Sequence, residues 1–268
     1  MRRRATSPTA LRPIPNPLTE WSGLRPGSLS EGNGRHVLTR TSRGPSMILG
    51  LAPGGKTLNE SRILLLRHAE TSAPDRFHGS ESDVGLGERG FRQAEAVAPL
   101  LAAEAPAALY CSAMLRARQT ADVIARACRL VPEIEPLLHE RKMGPVSGLS
   151  RDEGLAIYTE AKARWMAGEL DYTHEGGESY AEIRRRVVPV FQRLAERSAG
   201  KTVVVVAHGV VIRVVLTTVL TDYGPEHFDR LAIDNTAVND LRWSGGSWRA
   251  AGLNQKSHLG ADTDRFAW

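Results

Sequence analysis

The amino-acid sequence predicts an α/β protein, a three-layer α/β/α sandwich on a mostly parallel central sheet. Three features predict it. Residues 63–66 (ILLL) and 203–207 (VVVVA) are short continuous apolar runs, the mark of strands buried on both faces. Between them lie segments whose apolar residues recur at helical spacing. The two kinds alternate along the chain, as they do where helices pack on both faces of a parallel sheet. At 268 residues, 41% hydrophobic and 24% charged, the chain is long enough to bury one good core.

Residues 1–46 are rich in Arg, Pro, Ser and Gly, lack sustained apolar periodicity, and are expected to be a disordered tail. Their Arg- and Ser-rich, acid-poor composition also fits an organellar transit peptide, but no amphipathic apolar face accompanies it. An interaction tail, or translation beginning at Met47, are the other readings. Residues 47–61 read as a linker, 62–259 as the folded domain and 260–268 as a C-terminal tail.

Within the domain the first strand is followed by a helix carrying Ala94, Val97, Ala98 and Leu101 on one face. Residues 109–111 form a second strand, and Ala117, Thr120, Ala121 and Ile124 share the face of a second helix. Ser150 with Glu153, and Ser179 with Glu182, are capping-box signatures that open two further helices, the first ending near Gly168 and the second near Arg197. Pro189 is expected to kink or restart the second of these. Residues 201–207 are the clearest strand, 210–220 return to helix, and 239–243 with 247–251 form a closing hairpin around Gly245 and Gly246.

Composition excludes several function classes. The net charge of +5 is located in the tail, where eight Arg and two Glu give +6, leaving the rest at −1, so no nucleic-acid partner is expected. No apolar run exceeds five residues, against the roughly 20 of a membrane-spanning helix, so no membrane partner is expected. Cys111 and Cys128 are the only cysteines, too few for a disulfide framework or a four-thiolate zinc site. A cytoplasmic protein is the simplest reading.

In a parallel sheet, ligands bind beyond the carboxyl ends of the strands. Two of the three clearest strands end in histidine, at Arg67-His68 and at Ala207-His208-Gly209. The third, at Cys111, leads into SAMLRARQTA. An Arg in the first turn of a helix opposes the macrodipole unless it has an anionic partner. Arg116 and Arg118, gathered with Arg67 and the two histidines, would make a cationic pocket suited to a phosphate dianion.

The motifs Arg67-His68-Ala69-Glu70-Thr71, SAMLRARQTA at 112–121, Leu138-His139-Glu140-Arg141, Gly176-Gly177-Glu178-Ser179 and AHGVVIR at 207–213 resemble, in that order, the histidine phosphatase superfamily, with its phosphoglycerate mutase-like fold. The resemblance implies that His68 is the nucleophile and becomes phosphorylated. It implies that Arg67, Arg116 and His208 hold the phosphoryl oxygens, and that Glu140 is the proton donor. Gly209 and His78 join the substrate-binding set.

The physics is consistent with these roles. Phosphoryl transfer asks for in-line positioning and positive charge around the equatorial oxygens, which two guanidiniums and an imidazole supply without a metal or other cofactor. His68 must be neutral at one nitrogen to attack, so its other nitrogen needs an acceptor such as a backbone carbonyl. Glu178 and Ser179 are expected to serve the following helix, and His139, His174, His227 and His258 to be structural or exposed.

Some positions depart from the family pattern. Ala69 stands in place of glycine and Ala113 in place of proline. The loop 72–75 is short and lacks a Trp-Asn pair, and the stretch from Glu140 to Glu178 is trimmed. These departures favour a phosphomonoesterase of the histidine acid type, acting on a small phosphate ester, over a phosphoglycerate-type mutase. A non-catalytic phosphate- or protein-binding module is the reading from another class, and a two-histidine metallohydrolase lacks a third ligand. Specificity is expected in 72–83 and 144–175, and the sequence carries no indication of oligomeric state.

Overall fold

The computed structural model describes residues 60–260. The tail expected over 1–46, the linker up to residue 59 and the segment after 260 lie outside the described residues. Six strands form one sheet: β1 (Ser61–Arg67), β2 (Ala108–Cys111), β3 (Glu133–Ile134), β4 (Thr202–Ala207), β5 (Val238–Ser244) and β6 (Ser247–Gln255), in the order β3-β2-β4-β1-β5-β6. The four strands from β3 to β1 are parallel, while β5 is antiparallel to β1 and turns back as β6.

The apolar runs behave as their lack of alternation requires. Leu64, Leu66, Val204 and Val206 pack with Ala94, Val97 and Leu101 of α1 (Glu88–Ala103) and with Ala117, Ala121 and Ile124 of α2 (Leu115–Cys128). The alternate residues Ile63, Leu65, Val203 and Val205 face α4 (Tyr180–Arg197) and α5 (Gly209–Val219). Each strand thus feeds two cores, which is the three-layer arrangement. The same core takes in α3 (Arg151–Met166) through Tyr158, Ala161 and Trp165.

Both capping boxes form. Ser150 and Ser179 accept the N–H of Glu153 and Glu182, whose carboxylates return to the cap N–H groups. Pro189 does not restart α4, which is continuous from Tyr180 to Arg197. Pro189 and Arg185, whose carbonyl loses its partner, are both exposed, so that carbonyl is on the side of the helix open to water. The closing hairpin forms around Gly245 and Gly246, at φ 58° and 85°, and is longer than expected at its far end. Two-residue β3, exposed at both positions, has no sequence signature. No helix among the described residues is long and apolar enough to cross a membrane.

One close approach ties α1 to the end of β1. A Cβ on Gly90 would lie 2.0 Å from the carbonyl oxygen of Glu70, which also accepts the N–H of Gly87 at 3.1 Å. Gly90→Ala is therefore expected to destabilise the protein by about 1–3 kcal/mol, despite alanine's better helix propensity. A urea midpoint unchanged or raised by the substitution would contradict this contact.

Candidate active site

The register of the parallel strands delivers the site. Arg67 pairs with Ala207 and Cys111 with Val206, so His68, His208 and Ser112 leave β1, β4 and β2 side by side at the carboxyl edge. The His68 and His208 ring centroids are 5.1 Å apart. Both side chains are buried, as expected of residues that end strands covered on both faces.

His68 is held from every side. Its Nδ1 donates to the carbonyl of Ala69 at 2.8 Å, which leaves Nε2 with the lone pair. The same peptide unit donates its N–H, that of Glu70, to Oε1 of the buried Gln93 at 2.9 Å. The preceding peptide unit is clamped likewise: its carbonyl, that of His68, accepts from Asn235 Nδ2 at 2.6 Å, and the Ala69 N–H donates to Thr120 Oγ1 at 3.0 Å. Asn235 is delivered by a turn in which the β-branched Thr236 sits at φ 58°, a conformation such residues rarely adopt. The Thr236 N–H donates to the Arg67 carbonyl at 3.0 Å.

Arg67, His68, His78, Glu140 and Gly209 line one cavity of about 70 Å³, several times what a single water needs. Arg67 Nη1 donates to the Ile233 carbonyl at 3.0 Å. The Glu140 carboxylate accepts the N–H of Arg141 at 2.9 Å and of Val210 at 3.3 Å, so it is fixed by the backbone at the cavity wall. Arg116 and His208 are fully buried and do not belong to that lining. Arg116 donates to the carbonyls of Ser82, His78 and Gly79, fastening the loop that carries His78, and its Nε has no partner among the described residues. Arg118 is exposed and takes no part in the site.

Glu178 pairs with Arg186 at 2.7 Å, and Ser179 caps α4. His139, His174, His227 and His258 are each engaged with a neighbouring backbone or hydroxyl group, and none of the four lines the cavity. Sequence reasoning missed Arg213, Arg151, Tyr158 and Asn235, all in the cavity wall. It also missed Gln93, whose signal was a polar residue on the apolar stripe of α1.

The family profile described as "Histidine phosphatase superfamily (branch 1)" matches residues 63–256. The chain is 33% identical over 194 residues to a metal-independent phosphoserine phosphatase of Arabidopsis thaliana, covering 70% of this chain and 81% of the relative. It is 33% identical over 205 residues to phosphoglycerate mutase-like protein 4 of the same plant, covering 74% and 87%. Among solved structures, a mycobacterial glucosyl-3-phosphoglycerate phosphatase aligns with a TM-score of 0.63 at 26% identity, covering 73% of this chain and 99% of the other.

Burial, then the charges of Arg116 and Arg67, hold the His68 imidazole well below its usual pKa; burial, then Arg116 and His68, do the same to His208. Arg116 itself is pushed down to about 10, chiefly by burial, and stays cationic at neutral pH. Both imidazoles are thus neutral in the folded protein where unfolded histidines, at about 6.5, take up protons. The unfolded chain then binds more protons, so stability falls as pH drops below about 6.5, by up to about 1.4 kcal/mol per unit for each histidine. His208→Asn should flatten the slope of urea midpoint against pH between 5 and 7. Slopes that remain parallel would show that His208 titrates alike in both states.

Proposed function

The chain belongs to the histidine phosphatase superfamily, and from that premise we propose that it is a metal-independent phosphomonoesterase that hydrolyses a small phosphorylated metabolite through a phosphohistidine on His68. The observation that carries the reading is the committed Nδ1 of His68. With that nitrogen donating to Ala69 and the ring neutral, Nε2 is an unprotonated nucleophile beside guanidinium groups.

Nε2 attacks phosphorus in line, forming the N–P bond as the ester P–O bond breaks, and Glu140 gives its proton to the departing oxygen. Arg67 in the cavity wall and Arg116 buried behind it offset the charge on the equatorial oxygens, while the neutral His208 is assigned a hydrogen bond to one of them. Glu140, now ionised, takes a proton from water as that water attacks phosphorus and the N–P bond breaks, which restores both residues. The presence of all five side chains supports this over a non-catalytic binding module. The phosphatase names of two relatives support hydrolysis over transfer.

His68→Ala should abolish turnover, and acid-quenched wild-type protein should carry an acid-labile, base-stable phosphate. Glu140→Gln should slow alkyl phosphates by at least tenfold more than p-nitrophenyl phosphate, whose leaving group needs little acid help. Equal losses on both substrates would assign Glu140 another role.

A phosphoglycerate-type mutase must keep water from the phosphohistidine until the group is returned. The short loop at 72–75 and the trimmed insert before Gly176 favour water entry. Inorganic phosphate release should therefore exceed interconversion of 3- and 2-phosphoglycerate, with or without 2,3-bisphosphoglycerate. A bisphosphate-stimulated mutase rate above the rate of release would reverse the assignment.

A further inference from the structure

Ser112 follows β2 directly, beside the two histidines, and is fully buried. Its Oγ lies 2.8 Å from Nε2 of His208 and accepts the N–H of Met114, the N-cap residue of α2, at 3.3 Å. A serine hydroxyl has a single proton to give. The Met114 amide can only donate, so it occupies an oxygen lone pair and leaves that proton unassigned. The other hydrogen-bond neighbour of Oγ among the described residues is His208 Nε2, and a buried O–H without an acceptor is disfavoured. The serine proton therefore goes to Nε2, which must hold a lone pair, and the proton of the ring itself resides on Nδ1.

That Nδ1 is buried and has no partner among the described residues. Its ring is the one that stands 5.1 Å from His68. We propose that Ser112 is a positioning residue whose hydroxyl fixes His208 as the Nδ1–H tautomer, so that Nδ1 donates to an oxygen of the phosphoryl group bound at, or carried by, His68. The opposite tautomer would present a lone pair to that oxygen and repel it. In the ligand-free protein burial and then Arg116 hold His208 well below its usual pKa, so the tautomer decides which of its nitrogens carries a proton when the anion arrives. The inference rests on the phosphatase reading for the identity of the ligand, and on the hydrogen-bond geometry alone for the tautomer.

The test is a long-range proton–nitrogen correlation spectrum of protein carrying ¹⁵N-labelled imidazoles at pH 7.5, with the His208 signals assigned by their loss in His208→Asn. Wild-type protein should show His208 neutral and protonated at Nδ1; an Nε2–H form would overturn the proposal without recourse to any Ser112 variant. Ser112→Ala should shift the population toward Nε2–H and weaken calorimetric binding of inorganic phosphate by tenfold or more, and Ser112→Thr, which keeps a hydroxyl, should restore both. Retention of the Nδ1–H form in Ser112→Ala, with phosphate affinity within twofold of wild type, would equally overturn it. Failure of the phosphatase reading shows separately, as no phosphate release by wild-type protein from any monoester, and leaves the tautomer assignment to be decided by the spectrum.

Discussion

Arg67 pairs with Ala207 in the parallel ladder between β1 and β4, so the residues that follow the two strands leave the sheet at one level. A slip of one residue would move each strand's side chains from one core to the other and separate the two imidazoles. The register is secured because both faces of both strands are buried. Leu64 and Leu66 belong to one core and Ile63 and Leu65 to the other, so neither face tolerates a shift. The constraint that builds the hydrophobic core is thus the one that sets the 5.1 Å spacing at the site.

The site is also a concentration of buried positive charge. Arg116, Arg141 and Arg213 are almost wholly buried, and burial holds all three guanidiniums below their usual pKa. Burial of a cation is tolerated only where its donors find acceptors. Arg116 uses loop carbonyls, Arg213 Nε the carbonyl of Leu231, and Arg141 Nε that of Glu178. Arg141 further lies over the Trp165 ring at 4.5 Å, and Arg213 over Phe228 at 5.6 Å. These backbone carbonyls carry no net charge, and nearby carboxylates, Glu140 among them for all three, offset the burial of the guanidiniums only in part. Burial first, and the charge of Arg116 after it, depress both histidines, which leaves both rings neutral at neutral pH.

Much of this was legible in the sequence, and what was not has a common cause. Continuous apolar runs, capping boxes and histidines at strand ends are local signals, and each corresponds to the element expected. The restart allowed for at Pro189 is absent because a proline's cost depends on whether the carbonyl it orphans can reach water, and Arg185 lies on an exposed part of α4. The partners of Gln93, Thr120 and Asn235 were not legible because a polar side chain shows nothing of its partner in the sequence. Their partners here, on the peptides flanking His68, are 23, 51 and 167 residues distant. Thr120 was read as one more residue on a helical face, which it is; that its hydroxyl also holds the Ala69 amide required the fold.

The cavity wall is divided between two kinds of backbone. His68 and Gly209 come from strand ends or from the helix that follows β4, whereas Pro74, Arg76, His78, Arg151 and Tyr158 come from the two segments where the sequence placed specificity. Those segments are fastened to each other more than to the sheet. The Phe77 N–H donates to the Leu149 carbonyl and the Arg151 N–H to the Asp75 carbonyl, each at 2.9 Å, while the Arg76 and Arg151 side chains reach the carbonyls of Gly148 and Pro74. A change in this clamp alters the outer wall as a unit while leaving the peptides that hold His68 in place, since none of Gln93, Thr120 or Asn235 belongs to it. Histidines held at strand ends and a separable wall on loops form an arrangement in which the outer wall can vary while the surroundings of His68 stay fixed.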